Sequence, residues 1–164
     1  MEDEKMKISF KLNGEERILD IPENIMLLDM LRRYANTTSV KRGCERGECG
    51  VCTVLIDGKP VYSCITPALK VEGKEVITIE YLSKNGKLHP IQEAFIKSGA
   101  IQCGFCTTAF ILTTYALLQR NRNPDEEEIK KAFDGIICRC TGYVKIIEAV
   151  KMAAEILKGN NNCY

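Results

Sequence analysis

Eight of the nine cysteines in this 164-residue chain fall into two quartets with ligand-like spacing. The first is Cys44-x4-Cys49-x2-Cys52-x11-Cys64, and the second is Cys103-x2-Cys106-x31-Cys138-x-Cys140. Thiolates are soft donors, and the C-x4-C-x2-C…C order is one at which four of them hold a [2Fe–2S] core. Two such sets in one short chain imply conduction of electrons rather than bond-making chemistry. Zinc also takes C-x2-C pairs, so the second quartet alone stays compatible with a zinc ion. The first is harder to read that way, because its gaps sit in a glycine-rich loop.

The remaining chemistry-bearing residues have plainer roles. His89 is the only histidine; it precedes Pro90 and reads as a helix start rather than a general base. Cys163 has no evident partner and reads as a free tail thiol. The acidic run 125–128 suits a helix N-terminus. Lys41, Arg42 and Arg46 either form a solvated rim or steer an acidic redox partner.

The elements that must position the first quartet have a period of two. Residues 7–12 alternate polar and apolar, Asn13-Gly14 is a hairpin-turn dipeptide, and 17–21 returns. A short helix is expected over 26–34. A second hairpin runs 53–56, turns at Asp57-Gly58 and returns over 59–62, and Val76, Thr78 and Ile79 suggest a further strand. The second hairpin accounts for the long last gap, because its register brings Cys64 back beside Val51 and Cys52. Several strands with one helix laid across them describe a β-grasp, the ferredoxin-like arrangement. In the cysteine loop, Gly43, Gly47 and Gly50 let the backbone curl and aim N–H groups at sulfur.

From His89 the period becomes helical. Helices are expected over 90–98, 105–119, from the start signal at 123–126, and 143–158, with Ile147, Val150, Ala154 and Leu157 facing inward and Gly159 as the stop. A shift of 34 residues places Pro90 on Pro124 and Cys106 on Cys140, as in a duplicated helix–loop–helix. Two copies can pack as a four-helix bundle with a cysteine pair in each loop, Cys106 and Cys140 each leading into a helix whose dipole faces the site. The expected fold class is therefore α+β. Residues 1–82 form a plant-type ferredoxin-like [2Fe–2S] domain; residues 83–164 form a linker, at 83–88, and a helical-bundle [2Fe–2S] domain.

Bulk properties exclude several classes. A net charge of +1 argues neither for nucleic acid nor for an acidic membrane surface. No apolar run approaches the ~18 residues needed to span a bilayer. The opening MEDEKMK lacks the apolar core of a secretory signal. A reducing compartment, the cytoplasm, is expected, where clustered cysteines signify metal more often than disulfide.

Four stretches make the chain resemble a known family: SVKRGCERGECGVCTVLIDG at 39–58, LHPIQEAF at 88–95, GAIQCGFCT at 99–107 and CRCTGY at 138–143. They are similar to the small iron–sulfur subunit, or N-terminal iron–sulfur region, of molybdenum hydroxylases of the xanthine oxidase type. The resemblance spans almost the whole chain and implies one [2Fe–2S] cluster in each half. It implies that the Cys103/Cys106/Cys138/Cys140 cluster lies nearer a molybdopterin held by a separate large subunit. It further implies that the Cys44/Cys49/Cys52/Cys64 cluster lies farther out, toward a FAD-binding subunit or another acceptor. Gln102 matches the glutamine that hydrogen-bonds the pterin, and Cys140 the ligand whose sulfur lies near the pterin edge. No catalytic residue is implied for this chain alone. The chain departs from the family pattern at Thr108-Ala109, where the family has Pro-Gly, and at Ile136, where it has Asn.

Overall fold

Both hairpin dipeptides turn as their sequences require. Asn13 and Gly14, and likewise Asp57 and Gly58, all take positive φ, the conformation of a tight two-residue turn between strands. The computed structural model describes residues 5–159, so Cys163 lies outside the described residues. The first turn joins β1 (Lys5–Leu12) to β2 (Glu15–Pro22), with Leu12 opposite Glu15. The second joins β3 (Thr53–Ile56) to β4 (Lys59–Tyr62), with Ile56 opposite Lys59. β5 (Glu75–Ile77) runs parallel to β1 and antiparallel to β3, giving one mixed sheet in the order β2-β1-β5-β3-β4. The strand expected through Ile79 stops at Ile77, and Ile79–Tyr81 continues as a 3-10 turn.

The helix crossing this sheet is shorter and wider than its apolar spacing suggests. It begins as α1 (Leu27–Asp29) and then widens into a π-helical segment, Met30–Tyr34, buried through Leu27, Leu28, Met30 and Leu31. These side chains meet Ile8, Phe10, Val54 and Val76 in one core.

The other face of the sheet is covered at β3 and β5 and open to solvent along β1 and β2. Val54 and Ile56 point into the α1 core, whereas Leu55 and Ile77 join the core of the helical half. β3 is thus buried on both faces, which explains its unbroken apolar run TVLI.

The helical half contains α2 (Pro90–Lys97), α3 (Thr107–Arg120), α4 (Glu126–Ala132) and α5 (Val144–Gly159). The repeat read from the sequence appears as a short helix, a cysteine loop and a long helix, twice over. Each short helix packs on the other repeat's long one, α2 on α5 and α4 on α3. Asp125 caps α4 by accepting from Glu128 N–H at 2.8 Å, while the Glu128 carboxylate returns to Asp125 N–H. α4 stops at Ala132, so Phe133 and Ile136 are buried from the loop beyond it. In α5 the buried stripe runs through Ile146, Ala149, Val150, Ala153, Ala154 and Leu157, with Ile147 only half-buried. Segment 83–88 makes a tight turn at Asn85-Gly86, closed by backbone bonds between Lys84 and Lys87. Among the described residues no helix is long and apolar enough to cross a membrane.

Candidate metal centres

Cys44 and Cys49 lie in the loop between α1 and β3, and their positions are set by backbone donors. The N–H groups of Glu48 and Cys49 point at Cys44 Sγ at 3.3 and 3.4 Å, and Cys44 N–H points back at Cys49 Sγ at 3.4 Å. Gly47 and Gly50 adopt positive φ, as does Glu45. Gly43 must lack a side chain for another reason: a Cβ there would sit 2.8 Å from Cys49 Sγ. Backbone N–H groups, that of Arg46 foremost, lower the Cys44 thiol to about 6.

Cys52 ends this loop and Cys64 follows β4. The ladder continues one step beyond the strands: Ser63 N–H and hydroxyl both reach the Cys52 carbonyl, at 3.4 and 2.7 Å. That step brings Cys64 against Cys52, the return expected from the hairpin. Burial, then the contact with Cys52, pushes the Cys64 thiol up to about 11.

The second quartet is built by the two helix-loop repeats. Cys106 is the residue before the first turn of α3, and burial pushes its thiol up to about 12. Cys103 and Cys140 are exposed, with their sulfurs 3.6 Å apart. Burial works against the Cys138 thiolate, yet the Thr141 hydroxyl at 3.1 Å and the Thr141 and Cys140 N–H groups lower its pKa on balance. Cys138 also contacts Cys106. Gln102, beside Cys103 in sequence, is exposed, as is Cys140.

All eight of these cysteines are free thiols. Within each quartet they gather in twos: Cys44 with Cys49 and Cys52 with Cys64, then Cys103 with Cys140 and Cys106 with Cys138. A zinc ion draws four thiolates to one point at about 2.3 Å. A two-iron core instead takes two thiolates at each of two irons. Among the described residues no three His, Cys, Asp or Glu side chains converge on a single-ion position. Paired thiols facing N–H donors therefore fit a two-iron group better than a lone zinc ion.

The quartets adjoin. Cys44 and Cys49 from the first, and Cys103, Cys106, Cys138 and Cys140 from the second, line one cavity of ≈ 320 Å³.

Two iron–sulfur family models match the chain, a 2Fe-2S iron-sulfur cluster binding domain over residues 5–93 and a [2Fe-2S] binding domain over residues 78–151. The chain is 46% identical to the nicotinate dehydrogenase small FeS subunit of Eubacterium barkeri, over 92% of this chain and 96% of that one. It belongs to the iron–sulfur subunits of the xanthine oxidase family of molybdenum hydroxylases. Among solved structures, quinoline 2-oxidoreductase from Pseudomonas putida 86 superposes with a TM-score of 0.90 at 40% identity, covering 95% of this chain and 98% of that chain. The aldehyde oxidoreductase of Desulfovibrio desulfuricans superposes equally well, 0.90 at 44% identity, over 93% of this chain but 17% of its own. The fold of this iron–sulfur subunit thus stands alone in some relatives and forms part of a longer chain in another.

His89, Arg42 and Arg46, also singled out by the sequence, each have local partners. His89 Nδ1 accepts Ile91 N–H at 3.2 Å, and Gln92 Oε1 accepts His89 N–H at 2.8 Å, so the histidine caps α2. Arg42 is paired with Asp29 and Glu45, and Arg46 with Glu48, leaving these two cations largely neutralised within the loop's own rim. Where the family has Asn, Ile136 is buried in the core. The Tyr143 hydroxyl was not anticipated: it accepts Cys138 N–H at 2.9 Å and donates to the Ile136 carbonyl at 3.5 Å. Its only sequence signal was its place directly after the Cys-Arg-Cys-Thr-Gly run.

Proposed function

We propose that Cys44, Cys49, Cys52 and Cys64 in residues 1–82 hold one [2Fe–2S] cluster. Cys103, Cys106, Cys138 and Cys140 in residues 83–164 hold a second. Each group, when bound, accepts and returns one electron. The chain is an electron-transfer subunit, and we place it between a molybdopterin centre in a large partner subunit and a FAD-binding subunit or another acceptor. The cytoplasm is the compartment that suits its free thiols.

The observation that carries this reading is the pairing of thiols within two adjoining quartets. The protein's own part is to hold and to orient. N–H groups around Cys44 and Cys138 stabilise thiolate before any metal arrives, and the buried Cys64 and Cys106 exclude water on the inner side. Gln102 and Cys140 are both exposed, as are the apolar side chains of Ile101 and Phe105. Exposed apolar and polar groups of this kind suit a partner subunit that brings a pterin to Cys140.

Co-purification tests the partner assignment: a large molybdenum-containing subunit should accompany the tagged chain from its native host. Substrate-dependent dye reduction by the purified chain alone would contradict a pure electron carrier. The competing zinc-module reading requires colourless protein with no change on dithionite.

A further inference from the structure

Gly142 and Tyr143 hold successive positive φ values of 65° and 69°. Two left-handed residues in a row turn the chain sharply between Cys140 and α5, and only the first is a glycine. A tyrosine keeps this conformation where its surroundings impose it. Here the Tyr143 hydroxyl accepts Cys138 N–H at 2.9 Å and donates to the Ile136 carbonyl at 3.5 Å, so the side chain closes the turn. Its ring also meets Phe110 edge to face, with centroids 6.1 Å apart.

This turn folds Thr141 back onto Cys138. The Thr141 hydroxyl lies 3.1 Å from Cys138 Sγ, closer than the backbone N–H groups that reach the cysteine sulfurs at 3.3 to 3.4 Å. Tyr143 N–H donates to the same hydroxyl oxygen at 3.4 Å, which leaves the Thr141 proton free to point at sulfur. A metal-bound thiolate has no proton to give, so toward a bound group the hydroxyl is the donor and the sulfur the acceptor. The Cys140 and Thr141 N–H groups point at the same sulfur. Of these three donors, the hydroxyl alone can be removed without touching the backbone.

We propose that the Thr141 hydroxyl, by hydrogen bonding to Cys138 Sγ, raises the reduction potential of the second quartet's [2Fe–2S] site, with Tyr143 as its positioning residue. The proposal rests on the two-cluster reading above and deepens it. Reduction adds one electron, and part of its charge spreads onto the thiolate sulfurs; no bond forms or breaks and no proton moves. A donor aimed at sulfur binds the more negative form more strongly, so it favours the reduced state. Thr141 thereby helps decide how readily this site takes an electron, while the eight thiols hold the metal.

The test uses the intact complex carrying Thr141→Val, Thr141→Ala or Thr141→Ser. Valine keeps the shape and loses the hydroxyl, alanine loses both without adding bulk, and serine keeps the hydroxyl. Iron, labile sulfide and both reduced-state paramagnetic resonance signals are followed through a potentiometric titration. The expected result is full cluster content, with one signal's midpoint shifted to lower potential in Thr141→Val and restored toward wild type in Thr141→Ser. The other signal's midpoint should not move. If Thr141→Val fails to load, Thr141→Ala decides by the same reading. An unchanged midpoint in a loaded valine or alanine variant overturns the proposal, as does a serine variant shifted as far as valine. Failure of both valine and alanine variants to load also overturns it, since the hydroxyl would then be needed for assembly rather than for potential. A single reduced-state signal in the wild-type complex would instead overturn the two-cluster reading beneath it.

Discussion

Gly50 approaches the Gly135 carbonyl so closely that a Cβ on Gly50 would collide with it, while a Cβ on Gly135 would strike the Tyr62 hydroxyl. Both residues hold positive φ, 64° and 86°. The contact ties the first cysteine loop to the segment between α4 and Cys138. Gly50→Ala therefore combines a left-handed backbone with a collision against peptide atoms that cannot yield easily. It should cost about 2–4 kcal/mol of stability, in the range of strained or overpacked substitutions. Gly58→Ala is the comparison: its φ is 76° but nothing lies within 4 Å of its Cβ, so only the backbone penalty of about 1 kcal/mol applies. Thermal or urea denaturation of the two variants separates these costs, and equal losses would deny the close approach its importance.

The cap on α2 should make stability depend on pH. Burial, and then the charge of Lys84, lower the His89 pKa below the ordinary imidazole value. Protonation would also occupy Nδ1, which must be bare to accept Ile91 N–H. A group whose folded pKa is depressed contributes stability above its unfolded value, about 6.5, and loses it as pH falls through the folded value. His89→Asn keeps a capping oxygen without titrating in this range. The stability gap between wild type and this variant should be flat above about pH 6.5 and shift against wild type below it. His89→Ala should lose about 0.5–2 kcal/mol at neutral pH. A pH-independent gap would mean that the imidazole does not serve as the cap.

Much of this was legible in the sequence because it rests on local rules. Asn13-Gly14 and Asp57-Gly58 specify their turns, Asp125 with Glu128 specifies a helix start, and register then carries Cys64 back to Cys52. What eluded sequence reasoning depends on contacts between distant segments. Leu55 and Ile77 alternate with Val54 and Val76 as any strand residues would, and nothing local says that the bundle covers them. The apolar spacing of Met30–Tyr34 equally suits an ordinary helix, so its π-helical widening has no signal in the sequence. In α5 the choice of Ile146 over Ile147 as the core residue was settled by the neighbouring helices. The cysteines themselves were plain, but the approach of Cys49 to Ile137 spans 88 positions and left no trace in spacing.

The quartets should fail independently. Cys49→Ser should abolish one reduced-state paramagnetic resonance signal and leave the other, and Cys138→Ser should do the reverse. Each variant should lose roughly half of its iron and labile sulfide, as expected for two separate [2Fe–2S] sites. Loss of both signals from either substitution would mean that the eight thiols do not act as two sets.

Removing the metal should expose an order of thiol reactivity. Iodoacetamide consumes thiolate, so the chelated protein at pH 7 should be labelled first at Cys44, held at about 6, and late at Cys64 and Cys106, pushed to about 11 and about 12. Peptide mass spectrometry over a time course reads that order. Protein with its clusters intact should resist labelling at all three positions. Simultaneous labelling of Cys44, Cys64 and Cys106 in the folded metal-free chain would contradict the role given to the loop N–H groups.

The most direct test is elemental and spectroscopic analysis of anaerobically purified protein. The account requires roughly four irons and four acid-labile sulfides per chain, with two distinguishable reduced-state signals after dithionite. Stoichiometric zinc in a colourless protein, or iron without labile sulfide, would contradict it.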